Sequence, residues 1–205
     1  MTRRRLLEIL VAAAVLVLLV TIVLVRPTAR RTEPPPTPLF HPAAGALPDF
    51  AAEGLGLITA ASPDRSRTAL LYPAEFEEPA DLYVLTGPGE GVRFALADSL
   101  AQTMTAKNVG WLDARTLWVT LGWRYGTVSP GGDLYAVDPG TGEAWLLWAC
   151  PDSVRAQAVA AEPATDGRSI VVQLKAFDEQ YLLARDSVLS LPALGRATGR
   201  PNPAR

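Results

Sequence analysis

A run of twenty residues near the N terminus constrains this chain most, because it is apolar on every side of a helix. Residues 6–25 contain eighteen Leu, Ile, Val or Ala side chains and a single charged one, Glu8. An α-helix rises about 1.5 Å per residue, so a run of this length spans the ~30 Å hydrocarbon core of a bilayer. The run therefore predicts a transmembrane helix at residues 6–25, which would contact the lipid bilayer directly.

The flanks of this helix predict its orientation. Arginines stand on both sides, at positions 3–5 and at 26, 30 and 31, so the positive-inside rule gives a weak preference. A five-residue tail cannot hold a domain, and we therefore expect residues 1–5 in the cytoplasm and the main domain outside the cell membrane. The alternative is a cleaved signal peptide, which would require a shorter apolar core and a small-x-small cleavage site.

Residues 26–48 are dense in proline, with seven in the segment. Proline fixes φ and removes the amide donor, so the segment predicts an extended extracytoplasmic stalk without helix or strand. His41, the single histidine of the sequence, falls in this stalk and is expected to be solvated.

Downstream of the stalk, a turn that leads into a strand occurs three times. Asp64, Asp113 and Asp166 are 49 and 53 residues apart, and each precedes an Arg-Ser or Arg-Thr step and a β-branched or apolar run. Such turn residues before an apolar run are typical of a strand that follows a tight turn. A repeat of this length predicts a fold built from similar units.

A second repeated element is a hairpin strand, Asp-Leu-Tyr followed by two apolar residues. It occurs at 81–85 and, 52 residues later, at 133–137, with a fainter copy at 180–183. The segments 87–90 and 138–143 supply the glycines that hairpin turns require. We therefore predict an all-β repeat domain at 49–195 and a disordered tail at 196–205.

These turns and strands resemble the blades of TolB-like and WD40-like bacterial β-propellers, over residues 56–191. The resemblance implies four-stranded blades and a binding role. A propeller closes with at least four blades, whereas the sequence holds about three copies. The expected fold is therefore propeller-like blades or an open antiparallel β-sheet repeat, unless a divergent copy precedes Ser62 or the domain is another small β-sandwich. Open sheet edges predict assembly with other subunits.

The composition excludes several function classes. One histidine and one cysteine cannot form a Ser-His-Asp, Cys-His or His-rich metal site within the domain. A net charge of −2 and a pI near 5.5 argue against nucleic acid as a partner. We expect no catalytic residue, metal or cofactor, and hence no enzyme. Cys150 is interpreted as a small core residue, with pairing to a partner chain as the alternative.

Trp123, Arg124 and Tyr125 form the candidate partner contact, because these residue types dominate interface energetics and lie in a predicted loop at 121–132. The alternative for this loop is local packing. The sequence thus predicts a non-catalytic accessory or scaffolding subunit of a membrane-embedded envelope complex, with other integral-membrane subunits as partners. The alternative is a stand-alone membrane-anchored binder of a cell-wall or small-molecule ligand.

Overall fold

A computed structural model describes residues 39–50, 57–73, 77–125, 129–151, 155–178 and 184–193. These residues belong to a compact unit that spans 36–205. The predicted cytoplasmic tail (1–5), transmembrane helix (6–25) and disordered tail (196–205) lie outside the described residues. Within the described ranges, no helix is long and apolar enough to cross a membrane.

The described part of the chain is almost entirely β-structure, which confirms the predicted all-β domain. Its strands are β1 (Phe40–Ala43), β2 (Ile58–Ala61), β3 (Thr68–Tyr72), β4 (Asp81–Gly87), β5 (Glu90–Leu96), β6 (Met104–Asp113), β7 (Thr116–Trp123), β8 (Asp133–Val137), β9 (Ala144–Trp148), β10 (Ala156–Pro163), β11 (Ser169–Phe177) and β12 (Ala184–Pro192). One short helix, α1 (Asp98–Ala101), joins β5 to β6.

Within the described residues, the strands form three antiparallel sheets. Sheet 1 has the order β1-β5-β4-β3-β2, sheet 2 the order β6-β7-β8-β9, and sheet 3 the order β10-β11-β12. Apart from β1, each sheet is a meander in which consecutive strands are neighbours. The described residues therefore form an open set of sheets and no closed propeller.

The repeated turns lie at the same place in each sheet. Asp64 lies between β2 and β3, Asp113 ends β6, and Asp166 lies between β10 and β11. In each turn the aspartate Oδ1 accepts a hydrogen bond from a backbone N–H two residues ahead, at 3.1, 2.7 and 2.8 Å respectively. This local bond stabilises the turn that starts the second strand of the sheet. The predicted repeat is thus a structural unit.

The Asp-Leu-Tyr segments are also equivalent in the structure. They form β4 in sheet 1 and β8 in sheet 2, the third strand of each meander. The turns that follow contain Gly89 and Gly142, with φ of 73° and 76°, a conformation that glycine adopts without steric cost. The fainter third copy at 180–183 lies outside the described residues.

Sheet 2 is buried on both faces. Leu117 and Val119 of β7 pack with the buried side chains of sheet 1 in a first core cluster. Trp118, between them in sequence, packs with Ile170 and Val172 of sheet 3 in a second cluster. Because side chains alternate across a strand, β7 contributes to both cores, and its first seven residues are all buried.

The stalk prediction is wrong at residues 39–43. Leu39 and Phe40 are 2% and 3% exposed and belong to the first core cluster. Phe40 is paired with Leu96, because β1 lies antiparallel to β5 at the edge of sheet 1. An edge strand tolerates a proline such as Pro42. His41 is exposed, as expected, but the domain includes residues from Leu39 rather than starting at Asp49.

Candidate functional site

Trp123, Arg124 and Tyr125, here called the aromatic cluster, lie where β7 ends. Trp123 is the last residue of this strand and is paired with Met104 of β6. The predicted loop at 121–132 is therefore wrong for its first three residues, since the β6–β7 ladder continues to Trp123. The rings of Trp123 and Tyr125 are 54% and 45% exposed, so the strand end presents two large aromatic side chains to solvent.

Arg124 is held between these two residues by its hydrogen bonds. Its backbone N–H donates to the carbonyl oxygen of Thr103 at 2.8 Å. Its guanidinium donates through Nε to the carbonyl oxygen of Glu77 at 2.5 Å and through Nη1 to that of Ala101 at 2.8 Å. The side chain thus links β7 to α1 and to the segment before β4.

The same guanidinium also fixes Tyr125. The Cζ atom of Arg124 lies 5.4 Å from the centroid of the Tyr125 ring, within the range of a cation–π interaction. Arg124 therefore donates hydrogen bonds to backbone carbonyls and lies over the Tyr125 ring. These contacts hold Arg124 against Tyr125, while Trp123 and Tyr125 are exposed.

Among the described residues, charged side chains of β6 and of the segment before β4 lie near the cluster. Lys107 on β6 approaches Gly122, the neighbour of Trp123, and burial lowers the pKa of its ammonium below the ordinary value. Glu77 and Glu78 are exposed in the segment that accepts the Arg124 hydrogen bond.

In the described ranges, no group of three or more His, Cys, Asp or Glu side chains is placed to hold a metal ion. Cys150 is half-buried beside β9 and not in either core cluster. Its backbone N–H donates to Asp133 Oδ1 at 2.6 Å, and its Sγ contacts the carbonyl oxygen of Ala156. Cys150 is thus partly buried where sheets 2 and 3 meet, and it is not the fully buried core residue that was expected.

Sequence reasoning missed an apolar groove of about 460 Å³ between residues 47–50 and the β4–β5 turn. Phe50 lies beside it and makes edge-to-face contacts with Tyr83 and Tyr72, at centroid distances of 5.1 and 5.7 Å. Strand alternation could have placed Tyr72 and Tyr83 on the same face of sheet 1. It could not have placed Phe50 beside them, because Phe50 lies at the predicted start of the domain and outside the strands.

The fold defines an all-β domain of stacked antiparallel sheets with an exposed aromatic cluster. Residues 92–187, which run from β5 into β12, match the profile of a family described as Domain of unknown function (DUF4652). No protein with a curated description matches the chain.

A crystal structure of a protein from Clostridium novyi NT, described as a conserved lipoprotein, is similar to this chain with a TM-score of 0.62 at 23% identity. The similarity covers 77% of this chain and 98% of that one, and at this identity it shows a shared fold. Neither comparison names a TolB-like or WD40-like propeller, so that resemblance stays a prediction.

Proposed function

We propose that this chain is a non-catalytic accessory or scaffolding subunit of a membrane-embedded envelope complex and that it docks through the aromatic cluster. The observation that carries this proposal is the exposure of Trp123 and Tyr125, at 54% and 45%, on either side of a tethered Arg124. Aromatic rings held in place before binding lose little conformational entropy when a partner covers them.

A membrane location has two supports. Residues 6–25 are apolar over a length that spans a bilayer. The Clostridium novyi protein that shares the fold is described as a lipoprotein, a class held at membranes by an acyl anchor. In this proposal the chain is single-pass, with its β domain on the extracytoplasmic side.

The expected energetics follow from the residue types. Interface tryptophans and tyrosines that become fully covered typically cost about 2 kcal/mol or more when truncated to alanine. That loss corresponds to a roughly thirtyfold weaker Kd. Replacing both rings of the cluster should therefore abolish a partner interaction of ordinary affinity while leaving the folded domain intact, because neither ring belongs to a core cluster.

The experiment is gentle detergent extraction of the tagged full-length chain from its native membrane, followed by a native gel and mass spectrometry. The double variant W123A/Y125A is compared with L146A, which removes another exposed apolar side chain, 42% accessible, on β9. Defined membrane partners should copurify with the wild type and with L146A, and be lost from W123A/Y125A. A wild-type chain that is recovered alone would contradict the proposal.

The apolar groove favours a second candidate, a stand-alone binder of a cell-wall or small-molecule ligand. Its volume of about 460 Å³ falls within the range of small-molecule sites. Calorimetric titration with solubilised peptidoglycan fragments would test it. Binding that is lost in F50A and retained in W123A/Y125A would support this candidate over the subunit function.

A further inference from the structure

Sheet 3 ends one strand earlier than its two neighbours. In sheets 1 and 2 the third strand of the meander is followed by a fourth, β5 on β4 and β9 on β8. In sheet 3 the third strand is β12, and its edge opposite β11 has no strand among the described residues. The internal repeat therefore identifies a position for a further strand beside β12.

The direction of the unpaired amides follows from the register. The N–H of Ala193 donates to the carbonyl oxygen of Arg168, which continues the ladder in which Pro192 is opposite Ser169. Successive residues of an antiparallel strand point their N–H and C=O groups to opposite sides. The N–H groups of residues 184, 186, 188 and 190 consequently point away from β11. Pro192, the next in this series, has no N–H.

The side chains of β12 are consistent with an uncovered edge. Val188 is 70% exposed, more than the other exposed large hydrophobic side chains of the described residues. Leu189 and Leu191, on the opposite face, are partly buried against the second core cluster. The charges of β12, Arg185 and Asp186, are confined to its first half. The remaining residues form an uncharged run that can template a strand.

We propose that β12 pairs antiparallel with β12 of a second copy of this chain, with a two-fold axis beside Val188. In this register Val188 is opposite the second copy's Val188, and Asp186 is opposite its Ser190. Each outward N–H of residues 184–190 then faces an outward carbonyl of the other copy. The two three-stranded sheets become one continuous six-stranded sheet.

Charge, proline and the cover given to Val188 select this register among the two-fold registers. An axis beside Ser187 would place Asp186 opposite Val188, and an axis beside Leu189 would place Val188 opposite Ser190, so neither covers the exposed valine with its counterpart. An axis beside Asp186 would place two carboxylates directly opposite each other, which is destabilising. An axis beside Ser190 would place Pro192 opposite Val188 and leave the N–H groups of residues 184 and 186 beyond the paired region. The axis beside Val188 avoids both defects, and it covers the exposed valine with its own counterpart. Asp186 and Ser190 become cross-strand partners able to hydrogen-bond.

This inference is independent of the proposed function, because the aromatic cluster lies on sheet 2 and β12 lies on sheet 3. The first test is sedimentation velocity of the full-length protein in mild detergent over a wide concentration range. The wild type should show a concentration-dependent monomer–dimer equilibrium. V188E should raise the dimer Kd roughly tenfold or more by opposing two carboxylates, whereas W123A/Y125A should leave it unchanged.

A charge-reversal mixture separates pairing at the axis from a general effect of the substitution. V188E alone and V188K alone should be monomers, and an equimolar mixture should regain the dimer, since opposite charges then face each other. Val188 is exposed, so both variants should keep the wild-type melting temperature at concentrations where the wild type is monomeric. A monomeric wild type, or a V188E variant that dimerises like the wild type, overturns the proposal.

Disulfide trapping provides the positional readout. In a C150S background, V188C should form an intermolecular disulfide on mild oxidation, because directly opposed residues in an antiparallel pair lie within disulfide reach. The control is Q173C, an exposed residue of β11 one strand further from the axis, which should stay reduced. Equal cross-linking at both positions would show random collision and contradict the pairing.

Discussion

The indole Nε1 of Trp111 donates a 2.9 Å hydrogen bond to the carbonyl oxygen of Ala60, 51 residues earlier in the chain. The bond joins β6 of sheet 2 to β2 of sheet 1. Above the same ring lies the guanidinium of Arg67, 5.0 Å from the centroid, and Arg67 also donates through Nη2 to the carbonyl oxygen of Ala114. The first and second aspartate turns are therefore linked through Trp111 and Arg67.

Trp111→Phe removes the indole donor and leaves the Ala60 carbonyl oxygen without it. Because a partly buried acceptor that loses its partner costs about 1–3 kcal/mol, we expect the free energy of unfolding to fall by about 2 kcal/mol. Urea denaturation of the domain measures it. Trp123→Phe, at a ring that is 54% exposed, is the matched control and should change stability by less than about 0.5 kcal/mol. Equal effects of the two variants would contradict the assignment.

Phe40→Ala tests whether the domain includes residues before Asp49. Phe40 is 3% exposed within the first core cluster, and truncating a buried phenylalanine costs about 3–5 kcal/mol. The next residue, His41, is exposed on the same strand, so His41→Ala should be nearly neutral. Thermal unfolding of the two variants side by side decides the point. If Phe40→Ala is as stable as His41→Ala, residues before Asp49 do not contribute to the folded domain, and the stalk prediction holds up to residue 48.

Gly122→Ala should destabilise the domain severely. A Cβ at this position would overlap the carbonyl oxygen of Gly131, and backbone cannot move aside as a flexible side chain can. We expect a loss of about 3 kcal/mol in unfolding free energy. Gly87→Ala, whose Cβ would meet the Glu90 side chain at an ordinary 3.7 Å, is the control and should express and melt like the wild type.

The Asp64 turn predicts a loss of stability in acid. Hydrogen bonds from the Ser62 hydroxyl, and then from the backbone and hydroxyl of Ser66, lower the pKa of Asp64 from 3.8 to about 2. Because the folded state has the lower pKa, the stabilisation is present above pH 4 and is lost as the pH falls from about 4 to about 2. The melting temperatures of the wild type and of Asp64→Ala should differ above about pH 4 and should converge near pH 2.

Ser66→Ala removes one cause of that pKa shift, the hydroxyl hydrogen bond, and keeps the backbone N–H that also donates to Asp64. The side-chain carboxyl resonance of Asp64, followed by NMR, should then titrate closer to the ordinary value of 3.8. Asp166 occupies the equivalent turn of sheet 3, and its pKa is lowered first by the backbone N–H of Arg168. It serves as the internal control, since its titration should not move in this variant.

Arg124→Lys keeps the charge of the aromatic cluster but replaces a planar donor set by a single ammonium. Two hydrogen bonds to carbonyl oxygens cannot be kept in the same geometry, so we expect a loss of about 1 kcal/mol in stability. Urea denaturation of the wild type and the variant measures this loss. Arg115→Lys, at an exposed turn, is the control.

Local patterns explain which parts of this fold were predicted from sequence. The aspartate turns and the Asp-Leu-Tyr strands were recognised because their hydrogen bonds and side-chain alternation involve neighbours in the chain. Strand β1 was not predicted because it forms by pairing with β5, where Phe40 lies opposite Leu96, far along the sequence. The prolines around β1 are typical of an extended spacer.

Only part of the candidate site could be predicted from the sequence, for the same reason. The types of Trp123 and Tyr125 marked them as surface candidates, and their exposure agrees with that choice. The role of Arg124 was not visible, because its acceptors are carbonyls of Glu77 and Ala101, 47 and 23 residues away. No pattern in sequence specifies which distant backbone oxygen a guanidinium will find.

The burial of sheet 2 on both faces sets the hierarchy of local opening in this domain. Sheet 3 can separate and expose the second core cluster alone, while the first cluster stays closed between sheets 1 and 2. Opening of sheet 2 exposes both clusters at once and amounts to global unfolding. Amide protons of β7 and β8 consequently exchange with solvent at the slowest rates, and those of β12 at rates set by the smaller, sub-global opening.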